Sequence, residues 1–190
     1  SIFYDDCYGL QSLESKINTV VDIGGNIGFF AIAARAAFPQ AKIHTYEPNP
    51  HIQEYLSGNL RNLDVNIFPE AVGLNNGMVE IDFGDGSLFS KTKNSEDGKI
   101  KQSSIQEVCN RMGGDIDLLK LDCEGAEWEI FEDKEVWKNV KNLVMEYHLW
   151  AKENSSVFTL LSTIKKNGFR ITHLNENPKL EWGILHATKC

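Results

Sequence analysis

No apolar run in the 190 residues approaches the roughly 20 that a bilayer-spanning helix needs, and no charged stretch leads into a hydrophobic one at the start. A membrane partner is therefore not expected. Cysteine is sparse: the four, at 7, 109, 123 and 190, form no C-x-x-C pair and have no closely spaced histidine, so neither a zinc site nor a disulfide framework is signalled. They read as reduced thiols and point to a cytoplasmic protein. Positive charge is also short, with 19 Lys and Arg against 27 Asp and Glu and a net charge of -8. Grooves that track a nucleic-acid backbone neutralise phosphates with clustered basic side chains, so no nucleic-acid partner is expected and a small substrate fits better. The P-loop Gly-Lys-Ser/Thr is missing, and so is the dinucleotide pattern G-x-G-x-x-G. The chain opens at Ser1 rather than Met, and an upstream segment could precede it.

With 42% hydrophobic residues, one domain over 1–190 has enough apolar surface for its own core. Short β-branched runs alternate with helical periodicity, which predicts strands joined by helical crossovers and hence a mostly parallel sheet with helices on both faces. Strands are expected at Thr19–Ile23, Lys42–Tyr46, Val65–Phe68, Ile116–Leu121, Leu143–Tyr147, Phe169–Leu174 and Trp182–Ala187, seven in all. The last two, separated only by the polar turn Asn175–Lys179, should form an antiparallel hairpin at the sheet edge. Helices are expected at Ile27–Phe38, Pro50–Asn62, from Ser104 to about Met112, Ala126–Trp137, and from a Ser155 or Ser156 cap to Lys166. Ser104 and Glu107 match a capping box. Alternation over Met78–Phe83 reads as an added β segment, residues 84–102 as a long irregular loop, and residues 1–18 as a short cover.

The first strand ends in Asp22-x-Gly24-Gly25-Asn26-x-Gly28 and runs into a helix, which puts an exposed turn at the carboxyl edge of the sheet, where doubly wound folds bind ligands. Gly24 and Gly25 permit a sharp turn and close approach of a ligand, and Gly28 permits close helix-to-strand packing. Glu47, at the end of the next strand, is placed to accept hydrogen bonds from a ribose diol. Asn26 stands where a dinucleotide site has its second glycine, which weakens pyrophosphate cradling. S-adenosylmethionine carries no phosphate and suits an acidic turn better. A second constellation, Lys120 to Glu127, closes the fourth strand, and Glu146-Tyr147-His148 closes the fifth. Alternate residues of a strand share a face, so Asp122 with Glu124, and Glu146 with His148, can point together. Glu124 and Glu127 flank a helix start, where acids are stabilising for dipole reasons alone.

These segments resemble the FkbM family of methyltransferases. The family's V-D-I-G-x-N-x-G appears as residues 21–28, its E-P-N-P as Glu47-Pro48-Asn49-Pro50, and its A-V-G as Ala71-Val72-Gly73. Its K-x-D-x-E-G-A-E is Lys120 to Glu127 and its E-x-H is Glu146 to His148, with Gly25 and Cys123 as small departures. The resemblance implies a Rossmann-like α/β class I methyltransferase with S-adenosylmethionine as cofactor. It also implies O-methylation of a sugar or other small hydroxylated acceptor. By the same resemblance Asp22, Gly24, Gly25, Asn26 and Gly28 hold the methionine part, Glu47 with Pro48 the ribose, and Glu70, Ala71 and Val72 the adenine, with Asp122 near the methionine end. His148 is expected as general base oriented by Glu146, and Glu124 as the group that positions the acceptor. Asp122, Glu124, Glu146 and His148 could alternatively form an oxygen-rich divalent-metal site, although nothing in the spacing fixes a coordination geometry and the reading adopted carries no metal. An NAD-linked oxidoreductase and a noncatalytic Rossmann-like binding domain remain the rival classes.

Overall fold

The computed structural model describes residues 6, 8–13, 16–82, 91–95, 97–177, 179 and 181–190. In chain order these form β1 (Thr19–Ile23), α1 (Phe29–Ala37), β2 (Lys42–Tyr46), α2 (Gln53–Leu60), β3 (Val65–Phe68), β4 (Ala71–Gly73), β5 (Gly77–Asp82), β6 (Lys91–Asn94) and β7 (Ile100–Ser104). There follow α3 (Ile105–Met112), β8 (Ile116–Leu121), α4 (Glu127–Ile130), β9 (Val140–His148), α5 (Val157–Lys166), β10 (Phe169–Asn177) and β11 (Trp182–Lys189).

The main sheet has seven strands in the order β10-β11-β9-β8-β1-β2-β3. β9, β8, β1, β2 and β3 run parallel, while β11 lies antiparallel to β9 and β10 antiparallel to β11, so β10 is one edge and β3 the other. Side-chain alternation assigns the two faces. Val20, Ile43, Leu118 and Val144 pack with Phe30, Ala31 and Ala34 of α1 and Leu56 and Leu60 of α2. Their neighbours Val21, Leu119, Leu121, Leu143 and Met145 pack instead with Val108 and Met112 of α3, Trp128 and Ile130 of α4, and Leu160 and Ile164 of α5. Both faces are covered, which is why these strands read as continuous apolar runs. The chain leaves β1 for β2 and β3 on one side and returns to β8 on the other. The crevice between the carboxyl ends of β1 and β8 is therefore the topological switch point.

Three expectations need correcting. Residues 84–102 are not one irregular loop: Lys91–Asn94 and Ile100–Ser104 are strands of a second sheet, order β4-β7-β5-β6, while 83–90 lie outside the described residues. Their polar composition hides them, because β6 is an edge strand and an edge tolerates Lys, Thr and Asn. The helix expected over Ala126–Trp137 stops after one turn. Asp133 Oδ1 accepts from the backbone N–H groups of Glu135 and Val136 at 2.9 and 3.1 Å, a local side-chain bond that replaces helical continuation and starts a separate 3₁₀ turn at Val136–Asn139. The last two strands extend beyond their expected ends, and the intervening turn shrinks to the residues around 178–181, of which 178 and 180 are outside the described set. Much of the 1–18 cover is likewise outside it; within the rest, Tyr8 and Leu10 are buried against Phe30 and Ala31 on the α1 face.

Candidate active site

The turn after β1 is built by glycines that nothing else could replace. Gly24 sits at φ +78°, and a Cβ there would lie 1.7 Å from the main-chain oxygen of Asp122, so the ends of β1 and β8 meet at this residue. Gly24 and Gly25 both donate their N–H groups to the carbonyl of Tyr46, folding the turn back over β2. Asn26 takes φ +48°, a conformation that asparagine tolerates, and donates its N–H to Glu47 Oε2 at 2.8 Å. Gly28 is the N-cap of α1 at φ +91°, where a Cβ would crowd Leu56 and Leu60 at 3.1 Å. Its role is to seat α1 on α2, a helix-to-helix contact rather than the helix-to-strand contact expected.

Beneath the turn lies a buried ionic knot. Lys120, on β8, has its ammonium 3.1 Å from Asp22 Oδ1 and 3.6 Å from Asp122 Oδ2, and it also donates to the carbonyls of Ile23 and Gly24. Thr45 Oγ1 donates to Asp22 Oδ2 at 2.9 Å. Burial opposes the lysine charge, but the two aspartates outweigh it and raise its pKa. Asp22 is fully buried and braces the turn from below instead of facing the crevice.

Above the turn opens a cavity that is partly open to solvent. Of the expected cofactor residues, Gly24, Glu47, Pro48, Glu70, Ala71, Val72 and Asp122 line it, and so does Glu124; Asp22, Gly25, Asn26 and Gly28 do not. The pattern did not foresee Tyr46, Ile81 or Cys123 in the wall. Glu47 spends one lone pair on Asn26 and another on the N–H of Asn49, which leaves its carboxylate two more to offer a diol. Burial raises its pKa against those two backbone bonds. Glu70 is held by Arg111 at 2.7 Å, by Ser103 and by Lys101; burial works against its charge, but these donors win and lower its pKa. Arg111 in turn lies over the Phe68 ring, 5.0 Å from its centroid, and Phe68 stacks on Tyr46 at 4.6 Å. Arg111 escapes notice in the sequence because an arginine in the last turn of a helix is common for dipole reasons.

Beside the cavity four carboxylates surround one imidazole. His148 Nε2 faces Glu124 Oε2 at 3.6 Å and Glu146 Oε1 at 3.7 Å, so Glu146 and His148 do point together. The ring's other nitrogen is held by Glu127, read in the sequence as an acid stabilised at a helix start. Nδ1 lies 3.1 Å from Glu127 Oε1, which also accepts the His148 N–H, while Glu127 Oε2 accepts from Gly125 at 2.8 Å and from the Cys123 thiol. Glu127 is fully buried, which no helix-dipole role requires, and it orients His148 more closely than Glu146 does. Trp128 adds a bond from Nε1 to the His148 carbonyl, and the Trp150 ring lies 5.3 Å away. Glu124 adopts φ +52° and Gly125 φ +110°, a left-handed pair that turns the chain out of β8 into α4. Asp122, Glu146 and His148 bring one atom apiece to within 4.8 Å of one another, compact enough for a cation, which would need Nε2 bare of its proton.

The glycine turn, the cavity at the switch point and the strand order together define a class I methyltransferase fold. Solved structures share it. A methyltransferase FkbM from Methylobacillus flagellatus superposes with a TM-score of 0.62 at 14% identity, over 92% of this chain and 44% of that one. The magnesium protoporphyrin IX methyltransferase of Synechocystis, solved with bound SAM, gives a TM-score of 0.55 at 10% identity, over 90% and 69%. The chain belongs to the FkbM family of methyltransferases: the family model described as the Methyltransferase FkbM domain matches residues 22–171. Among curated relatives, the methyltransferase sdnD of Sordaria araneosa is 30% identical over 76% of this chain and 71% of its own. The 31-O-demethyl-FK506 methyltransferase FkbM of Streptomyces tacrolimicus is 22% identical, over 90% and 80%. No helix among the described residues is long and apolar enough to cross a membrane.

Proposed function

We propose that this methyltransferase uses S-adenosylmethionine to methylate a hydroxyl oxygen of a small molecule, a sugar or a similar metabolite. One observation carries the reading: Glu124 and Asp122 line the same cavity as Gly24 and Glu47, so a proton-accepting cluster borders the crevice where a nucleoside would lie. When bound, the cofactor supplies a methyl carbon made electrophilic by its sulfonium. Glu47 accepts the ribose hydroxyls on its two unspent lone pairs, and the wall formed by Glu70, Ala71 and Val72 receives the base. The backbone at Gly24 and the carboxylate of Asp122 hold the amino-acid end, with Asp22 and Lys120 fixing both from beneath. Glu124, Glu146 and His148 face the acceptor side, align its hydroxyl with the methyl carbon and take up its proton. The name of the Streptomyces relative describes methylation at an oxygen, in keeping with this assignment.

The test is a transfer assay with methyl-labelled S-adenosylmethionine over a panel of monosaccharides and small alcohols. The expected product carries the label as an acid-stable methyl ether. Label recovered only on nitrogen or carbon acceptors would overturn the oxygen assignment, and failure of S-adenosylhomocysteine to bind would overturn the cofactor.

A further inference from the structure

The hydrogen bonds around the cluster divide the roles among its members. Glu127 receives donors on both oxygens, from Gly125 and the Cys123 thiol on Oε2 and from the His148 main-chain N–H on Oε1, which also lies 3.1 Å from the ring Nδ1. An acceptor so loaded has no room for a further proton, and it forces Nδ1 of His148 to carry one. On the opposite side Nε2 is faced by two more acid oxygens, from Glu124 and Glu146. A neutral ring would aim a lone pair at them, whereas a doubly protonated ring places its charge 3.6 and 3.7 Å from these two oxygens, close enough to pair as ions but too far for either to be spent on a hydrogen bond. Asp122 is turned towards the Lys120 ammonium. What remains is Glu124, a residue of the cavity wall whose Oε2 is buried and has no hydrogen-bond partner.

We infer that His148 works as a fixed imidazolium held by Glu127, and that Glu124 is the group that takes the acceptor's proton. This rests on the methyl-transfer reading above and refines it. As the acceptor oxygen forms its bond to the methyl carbon, the carbon–sulfur electron pair departs with sulfur and the hydroxyl proton passes to Glu124 Oε2. The Glu124 side chain is 29% exposed, so that proton can then leave to solvent. Protonation preferences agree with this division. Burial opposes charge on His148, but Glu127, Glu146 and Glu124 outweigh it and push its pKa up to about 10. Burial, with Asp122, Glu146 and Glu127 added and His148 opposing, lifts Glu124 to about 7, where a general base is most effective.

Nuclear magnetic resonance of ¹⁵N-histidine and ¹³C-glutamate protein, saturated with S-adenosylhomocysteine, tests both halves. The expected spectrum shows both His148 nitrogens protonated at pH 8 and a Glu124 carboxyl, assigned with Glu124→Gln, titrating near neutrality. Glu127→Gln should let His148 lose its second proton at lower pH. On an acceptor found by the panel, Glu124→Gln should lower turnover by about 10²-fold or more, the usual worth of a general base, and Glu146→Gln by much less. A neutral His148 at pH 8, a Glu124 titrating like an exposed glutamate, or a His148 Nε2 signal that moves on adding magnesium would each overturn the assignment. Binding of S-adenosylhomocysteine in the same samples separates these failures from failure of the cofactor reading.

Discussion

Lys120 and Gly24 tie the crevice to the core. The Lys120 ammonium is 3% exposed and its partner Asp22 not at all, so Lys120→Met would strand a buried carboxylate. Breaking a buried pair from one side costs about 3–5 kcal/mol, which a urea titration should register as a lower midpoint. The double variant Asp22→Asn/Lys120→Met should recover part of that loss, since the fully buried carboxylate is gone and only the part-exposed Asp122 is left without its lysine. At Gly24 the constraint is steric. With φ at +78° and the Asp122 carbonyl where a Cβ would go, Gly24→Ala must push β1 and β8 apart. It should weaken S-adenosylhomocysteine binding at least about tenfold, a loss of roughly 1.4 kcal/mol or more by calorimetry.

The elements were legible where one residue type has one local use. Ser104 accepts from the Glu107 N–H at 3.1 Å, and Ser156, rather than the alternative Ser155, accepts from the Thr159 N–H at 3.1 Å; serine before an apolar-periodic segment marks a helix start because it has few other roles there. Ser104→Ala and Ser156→Ala should each cost about 1 kcal/mol of unfolding free energy, and their effects should add because the helices are separate. The parallel strands β1, β2, β3 and β8 were equally legible. What escaped was set by tertiary context. The strands at 91–94 and 100–104 exist because β5 offers an edge, and α4 ends early because Asp133 binds the backbone ahead of it. In the site, Glu47 and the glycine turn could be read from motif and strand order. Glu127 could not, because only the folded packing shows that its carboxylate lies beneath His148 instead of in solvent.

Across the molecule, pH connects the cluster to stability. His148 titrates higher in the folded chain than unfolded, about 10 against an ordinary value near 6.5. Its contribution is therefore complete below about pH 6.5 and fades as pH rises towards 10. His44 is the opposite case: burial, then Lys42 and Arg111, push it down to about 4, so folding loses ground as pH falls from 6.5 through 4. Thermal melts should show a shallower alkaline decline in His148→Asn than in the wild-type chain, and a shallower acid decline in His44→Gln. Equal slopes in variant and parent would contradict the burial and pairing described for these rings.

The cofactor crevice at the switch point is the centre of the account, and calorimetric titration of S-adenosylhomocysteine and of NAD into the wild-type protein and Glu47→Ala tests it most directly. One S-adenosylhomocysteine per chain, no heat with NAD, and at least about a tenfold loss of affinity in Glu47→Ala are predicted. NAD binding in preference to S-adenosylhomocysteine, or an affinity indifferent to Glu47, would contradict it.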